Sequence, residues 1–162
     1  MNIVIRKGKL KDAPFVRKLA VESVVYGIPS TRKIPHEMVR ELTAKSLSTL
    51  EVDMYRPDFA LIVAEDTDIK RPVGYLMLDL NQVEGSTGEK QSLIHDLAVE
   101  KAYWGKFVVD RLMAEAENIT RSKGLPYIVG EISADNKRPL IYSTTRLGYT
   151  VERHQIVKVL EP

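Results

Sequence analysis

Residues Asn2–Arg6 set Ile3 and Ile5 against Val4 and Arg6, an alternation that predicts a first strand. Asp12 then offers an N-cap, with Pro14 in the first turn behind it. Phe15, Val16, Leu19, Ala20, Ser23 and Val24 follow on one stripe of an amphipathic helix. Gly27, Pro29 and Pro35 interrupt the chain, and a second helix from about His36 to Leu50 is expected to turn Met38, Val39, Leu42 and Leu47 inward. Phe59–Glu65 is a short apolar run fit for a buried strand, and across the polar turn Asp66–Arg71 it pairs as a hairpin with Pro72–Leu80. Asn81–Lys90, with Gly85 and Gly88, reads as a loop or hairpin tip before a strand at Gln91–Val99.

Gly105 opens a long helix that aligns Val108, Val109, Leu112, Met113, Ala116 and Ile119, and Lys123-Gly124 ends it with a cation and a glycine. Pro126–Ser133 reads as a strand. Asn136–Leu147 is a short helix with Pro139 near its start and Gly148 after it. Tyr149–Leu160 is expected to close the chain as one long or two broken strands. The order strand, two helices, three strands, helix, strand, helix, strand belongs to the α/β class. No repeat, low-complexity tract or linker divides residues 1–162, so one domain is expected.

Composition narrows the chemistry. Lys and Arg number 24 against 22 for Asp and Glu, and the basic clusters at Lys9–Lys11 and Lys70-Arg71 are short and scattered. Nucleic-acid binding needs a basic face or stripe, which this pattern lacks. With no cysteine and with His36, His95 and His154 far apart, neither a thiol nucleophile nor a metal site is expected. The opening MNIVIRK is charged too soon for a signal peptide and no 18-residue apolar run follows, so the expected location is cytoplasmic, away from membranes.

Three stretches resemble one family, the GNAT N-acetyltransferases: IRKGKLKDAPFVRKLA, HDLAVEKAYWGKFVVDRLM and ADNKRPLIYSTTRLGYTVERHQIVKVL. The resemblance covers essentially the whole chain. It implies the GNAT fold, a mixed and mostly antiparallel sheet with helices on both faces, and acetyl-CoA as co-substrate. The physical logic of the middle stretch is anion binding at a helix N-terminus, where amides lack intrahelical partners and the macrodipole is positive. By resemblance the coenzyme would meet the backbone of Leu97, Ala98 and Val99, the run Trp104, Gly105, Lys106, Phe107, Val108 and Val109, and Asn136. Lys106 and Arg111 add positive charge beside that run.

The sequence departs from the family loop, which carries Arg or Gln, two residues, Gly, one residue, then Gly or Ala. Aligned from Val99, Trp104 stands at the Arg/Gln slot, Phe107 at the first Gly slot and Val109 at the second. A ring at Phe107 and a branched side chain at Val109 restrict close approach of a phosphate. The family's helix tyrosine also falls elsewhere: Thr144 holds its place, and Tyr142 lies two residues earlier. On the resemblance Tyr142 is the candidate proton donor to the departing thiolate, and Asp96 and His95 are the candidate bases, with Glu131 third. Structural roles stand beside each: packing between helix and sheet for Tyr142, and an N-cap for Asn136.

The reading is therefore an acyltransferase moving an acetyl group from acetyl-CoA to a small-molecule or peptide amine by direct attack. A GNAT-fold module that binds acyl-CoA or another small ligand without turnover is the alternative. The sequence leaves the acceptor unnamed and a homodimer open.

Overall fold

The computed structural model describes residues 1–160. Five strands form one sheet in the order β1 to β5: β1 at Ile3–Lys7, β2 at Phe59–Asp66, β3 at Arg71–Val83, β4 at Lys90–Val99 and β5 at Ile128–Gly130. The first four are antiparallel to their neighbours, and β5 joins β4 in parallel through Ser92–Ile128, Leu93–Val129 and Ile94–Gly130. The helices are α1 at Ala13–Ser23, α2 at His36–Ser46, a one-turn α3 at Leu50–Asp53, α4 at Val108–Ser122 and α5 at Lys137–Thr145.

The alternation along β2 and β3 sends side chains to two cores, one on each face of the sheet. Ile62, Ala64, Leu76 and Leu78 meet Val108, Leu112, Met113 and Ala116 of α4 on one face. Leu61, Val63, Tyr75 and Met77 meet Val16, Leu19 and Ala20 of α1, with Leu47 and Leu50, on the other. Because β2 and β3 are covered on both sides, their central residues read as continuous apolar runs in the sequence.

Several boundaries differ from the sequence expectations. The hairpin tip is shorter than Asn81–Lys90, because β3 runs on to Val83 and pairs it with Lys90. The helix expected at His36–Leu50 breaks after Ser46 into a 3₁₀ turn and α3. Its first half packs chiefly on α1 and the turn at 24–27, so Met38 and Leu42 stay exposed and only Leu47 of the expected inner face is buried. Asp12 does occupy the N-cap of α1, but its carboxylate caps no helix amide. It accepts from Arg6 at 2.7 and 2.9 Å and from the Lys9 amide at 2.8 Å, joining β1 to the helix start. Gly105 lies ahead of α4, in a turn with φ 74°.

The strand expected at Pro126–Ser133 shortens to three residues, since beyond Ile94 its partner β4 turns away. The closing strand expected at Tyr149–Leu160 is not formed. Tyr149 packs on the α4 core and its amide donates to Ser143, but residues 150–160 find no backbone–backbone hydrogen-bond partner among the described residues. Side-chain bonds from Arg153 to Glu84 and Ser86 hold the segment to the β3–β4 tip.

Candidate active site

The site grows out of an irregularity in β4. Met77 pairs with Asp96 and Leu78 with Ile94, so His95 is an extra residue on β4, a β-bulge. A bulge bends its strand and re-aims side chains. Here it coincides with the last β4–β5 pair, Ile94–Gly130, and the two parallel strands separate beyond it.

The re-aimed side chains are His95 and Asp96. With Ala20 and Val24, Thr43, Ser46 and Leu47, and Met77, they line a pocket of about 220 Å³ between α1, α2 and the sheet. Asp96 is fixed in it by two donors, the Tyr75 hydroxyl at 2.6 Å and the Leu97 amide at 2.9 Å. Tyr75 is fully buried, and burial together with the Asp96 charge pushes its phenol far above the ordinary range, so it remains a donor at any working pH. His95 is exposed at the rim. Sequence reasoning missed Tyr75, although a lone hydroxyl inside the apolar run PVGYLML was a signal, because such a group requires a buried partner.

The Glu100 amide donates to Val73. Along an antiparallel strand hydrogen-bonding groups alternate in direction, so Ala98 bonds β3 while the N–H and C=O of Leu97 and Val99 face the gap left by β5. Of the three backbone residues expected to meet a coenzyme, two therefore present free-edge groups and Ala98 does not. Two of these edge groups have partners within the chain. The Leu97 amide is on Asp96, and the Val99 carbonyl accepts from the Trp104 indole at 2.8 Å. Tyr26 meets the Trp104 ring edge-on at 6.0 Å, and the Arg138 guanidinium lies over it at 5.6 Å. Trp104 thus bridges the α1–α2 loop, β4 and the start of α5.

Past Trp104 the chain turns into α4 through Gly105 and Phe107, the latter at φ 58°, a left-handed conformation that glycine adopts far more readily. The first family glycine slot is thus a place where the backbone asks for glycine. Phe107 O is the first carbonyl accepting within α4, from Arg111, so the amides of Val108, Val109 and Asp110 have no intrahelical partner. Lys106 projects over the Tyr103 ring at 5.2 Å. Arg111, expected beside the loop, instead donates to the Ile3 carbonyl of β1.

Tyr142 of α5 points at α4. Its hydroxyl donates to Asp110, which also accepts from Arg146 at 2.9 Å, and the Arg146 guanidinium covers the Phe107 ring at 5.0 Å. Burial first and the Asp110 carboxylate second push the Tyr142 phenol up. Burial pushes the Asp110 carboxyl up as well, but its bonds from Tyr142 and Arg146 prevail and hold it below the usual carboxylate range. Among the described residues no hydrogen bond joins Tyr142 to Asp96 or His95. Thr144 donates back to Leu140 within α5, and Asn136 stands at the α5 N-cap without a side-chain cap bond. Glu131 is exposed just beyond β5.

A model of the acetyltransferase (GNAT) family matches residues 29–148, most of the chain. The chain belongs to the GNAT acetyltransferase family. Its fold is that of solved GNAT relatives, all at low identity. A protein from Pyrococcus furiosus described as an acetyl transferase shares 19% identity at a TM-score of 0.78, with 98% of this chain and 100% of that one covered. AAC(6')-Iy, in complex with the bisubstrate analog CoA-S-monomethyl-acetylneamine, shares 14% at 0.70 over 100% of both chains. Glucosamine-6-phosphate N-acetyltransferase from Arabidopsis thaliana shares 16% at 0.66, covering 99% and 100%. No curated protein matches the chain. Within this GNAT fold, no helix of the described residues is long and apolar enough to cross a membrane, and none of their His, Asp and Glu side chains cluster as a metal site.

Proposed function

We propose that this GNAT protein transfers an acetyl group from acetyl-CoA to a primary amine held in the pocket above Asp96. The observation that carries the reading is the Tyr75–Asp96–Leu97 arrangement, in which a buried phenol and a strand amide keep a half-buried carboxylate on the wall of that pocket beside the open edge of β4.

The groups suited to hold acetyl-CoA are the Leu97 and Val99 edge groups, the free amides at the start of α4, and Lys106. Nothing would meet a Cβ built at Gly105 within 4 Å, so the approach to this turn is open. Acetyl-CoA supplies a thioester whose carbonyl an amine can attack directly; the new C–N bond replaces the C–S bond, and the departing thiolate takes up a proton from solvent. Asp96 attracts the incoming ammonium group and takes its proton, either directly or through a water reaching His95. Once protonated, Asp96 holds the Leu97 amide less strongly, and that N–H is freed to stabilise an oxyanion at the edge of β4. Thr43 and Ser46 add neutral hydroxyls that can orient the acceptor.

A second reading, a GNAT-fold module that binds a ligand without turnover, is favoured by Trp104 occupying the Val99 carbonyl and by the acidic Asp110 in the first turn of α4. Calorimetric titration with acetyl-CoA, followed by free-thiol release on an amine panel, separates the two. Turnover supports the enzyme, and Asp96→Asn should then lower kcat/KM by about 10²–10⁴-fold with coenzyme affinity kept. Binding without thiol release supports the module.

A further inference from the structure

The side chains around the Asp96 pocket restrict which amine it can hold. Asp96 is the single acid lining it, and among the described residues no lysine or arginine lines it. One Asp96 oxygen accepts from the Tyr75 hydroxyl and the other from the Leu97 amide, which leaves each oxygen a lone pair for a ligand. The two hydroxyls of the pocket are committed within α2. Thr43 donates to the Val39 carbonyl and Ser46 to the Thr43 carbonyl, both at 2.9 Å. Both keep lone pairs, so Asp96, Thr43 and Ser46 all present acceptors to a ligand and none of them a free donor.

The rest of the wall is apolar. Ala20, Leu47 and Met77 are buried core residues that surface there, with the half-buried Val24 beside them. Arg17 approaches from α1 and donates to the Leu47 carbonyl at 3.3 Å, but Glu51 binds its guanidinium through both oxygens at 2.6 and 2.5 Å. Its charge is already matched. The volume of about 220 Å³ is below the roughly 300–1,000 Å³ of pockets that take drug-sized molecules.

A carboxylate or phosphate on the body of the amine would lie near Asp96 with no cation to answer it, and like charges brought together oppose binding. A second ammonium would leave water for an apolar wall that holds no second acid. An apolar body meets neither cost and covers Val24, Leu47 and Met77.

We propose that the acceptor is a compact monoamine with an apolar alkyl or aryl body, its one ammonium group on Asp96 and its body along the apolar wall. The chemistry rests on the acetyl-transfer reading above; the recognition does not. Transfer forms the C–N bond as the C–S bond breaks, and the ammonium becomes a neutral amide with the net loss of one proton to solvent. The amide carries no charge for Asp96 to attract, which favours its release.

Matched pairs test the assignment on the full-length protein. 3-Methylbutylamine and leucine share a body and differ by a carboxylate, while pentylamine and 1,5-diaminopentane differ by a second ammonium. Thiol release from acetyl-CoA should give 3-methylbutylamine a kcat/KM about 10²-fold above leucine, with leucinamide within about tenfold of the monoamine because its added group is uncharged. Pentylamine should exceed the diamine by about tenfold. Ser46→Lys puts a cation on an exposed position at the rim, and it should raise the ratio of leucine to 3-methylbutylamine by about tenfold.

Saturation-transfer NMR on the same compounds reads occupancy without turnover. The 3-methylbutylamine signal should exceed that of leucine and fall in Asp96→Asn. If no amine releases thiol but this order of occupancy holds, the transfer reading fails and the assignment of the ligand stands. Thiol release in which leucine equals 3-methylbutylamine, or in which the diamine is preferred, overturns the assignment and leaves the transfer reading in place. Occupancy by none of the amines overturns it as well.

Discussion

The Trp104 indole N–H donates to the Val99 carbonyl at 2.8 Å, which occupies one of the β4 edge groups proposed to meet acetyl-CoA. A ligand that pairs with this carbonyl has to displace the indole, so part of its binding energy goes into breaking a bond the protein makes to itself. Trp104→Phe keeps an aromatic ring against Tyr26 and Arg138 and removes the donor. Acetyl-CoA affinity should rise by roughly 2–10-fold, the range set by a net hydrogen bond of about 0.5–1.5 kcal/mol. Calorimetric titration checks this, and a weaker complex would show that the indole serves the ligand.

Phe107 occupies the left-handed region at φ 58° while its ring lies exposed under Arg146. The backbone conformation costs a residue with a Cβ about 1–2 kcal/mol. The exposed ring–guanidinium contact returns about 0.5–1 kcal/mol. Phe107→Gly should therefore raise the stability to urea by about 0.5–1 kcal/mol, and it clears the approach to the α4 amides as well. A lower unfolding midpoint would mean that the ring packs more firmly than its exposure suggests.

Asp12 sets an acid limit on stability. Burial pushes its carboxyl up, but the Arg6 hydrogen bonds and the Lys9 amide outweigh burial and hold it below the usual carboxylate range. The folded pKa is depressed, so the unfolded chain binds the proton more readily. The stabilisation is fully present above the unfolded value of about 4 and is lost as pH falls through the folded one. Urea midpoints measured downward from pH 6 should drop below about pH 4, and less steeply in Asp12→Asn. At pH 7 that variant should cost about 2–3 kcal/mol, less than a fully buried pair, because Arg6 keeps Glu65 at 2.6 Å.

Tyr142, the candidate acid on the family resemblance, spends its hydroxyl on Asp110. A phenol raised above its ordinary range is a poorer donor to a thiolate, and it must leave Asp110 before it can reach one. Tyr142→Phe should hold kcat within about tenfold and cost about 1 kcal/mol of stability. A kcat lower by on the order of 10² with unchanged coenzyme affinity would assign the proton to Tyr142.

The periodicities in the sequence determined β1 through β4, α1 and α4, because each of these buries one stripe or alternation whose spacing is a local property of the chain. The fold class followed from their order, and the GNAT resemblance lay in short runs that survive at low identity. Asp96 and His95 were legible as candidates for the same reason. Tertiary structure decided what local pattern cannot carry. The bulge at His95 arises from the registers of β3 and β5 together, and it both aims Asp96 and ends β5 three residues after it begins. Tyr75 matters through a partner 21 residues away, and Trp104 through contacts with Tyr26, Val99 and Arg138 on three elements. Tyr149–Leu160 shows the same division. Its alternation fits a strand, but a strand exists only where a neighbouring edge lies within hydrogen-bonding reach, and the position of that edge is a property of the folded chain.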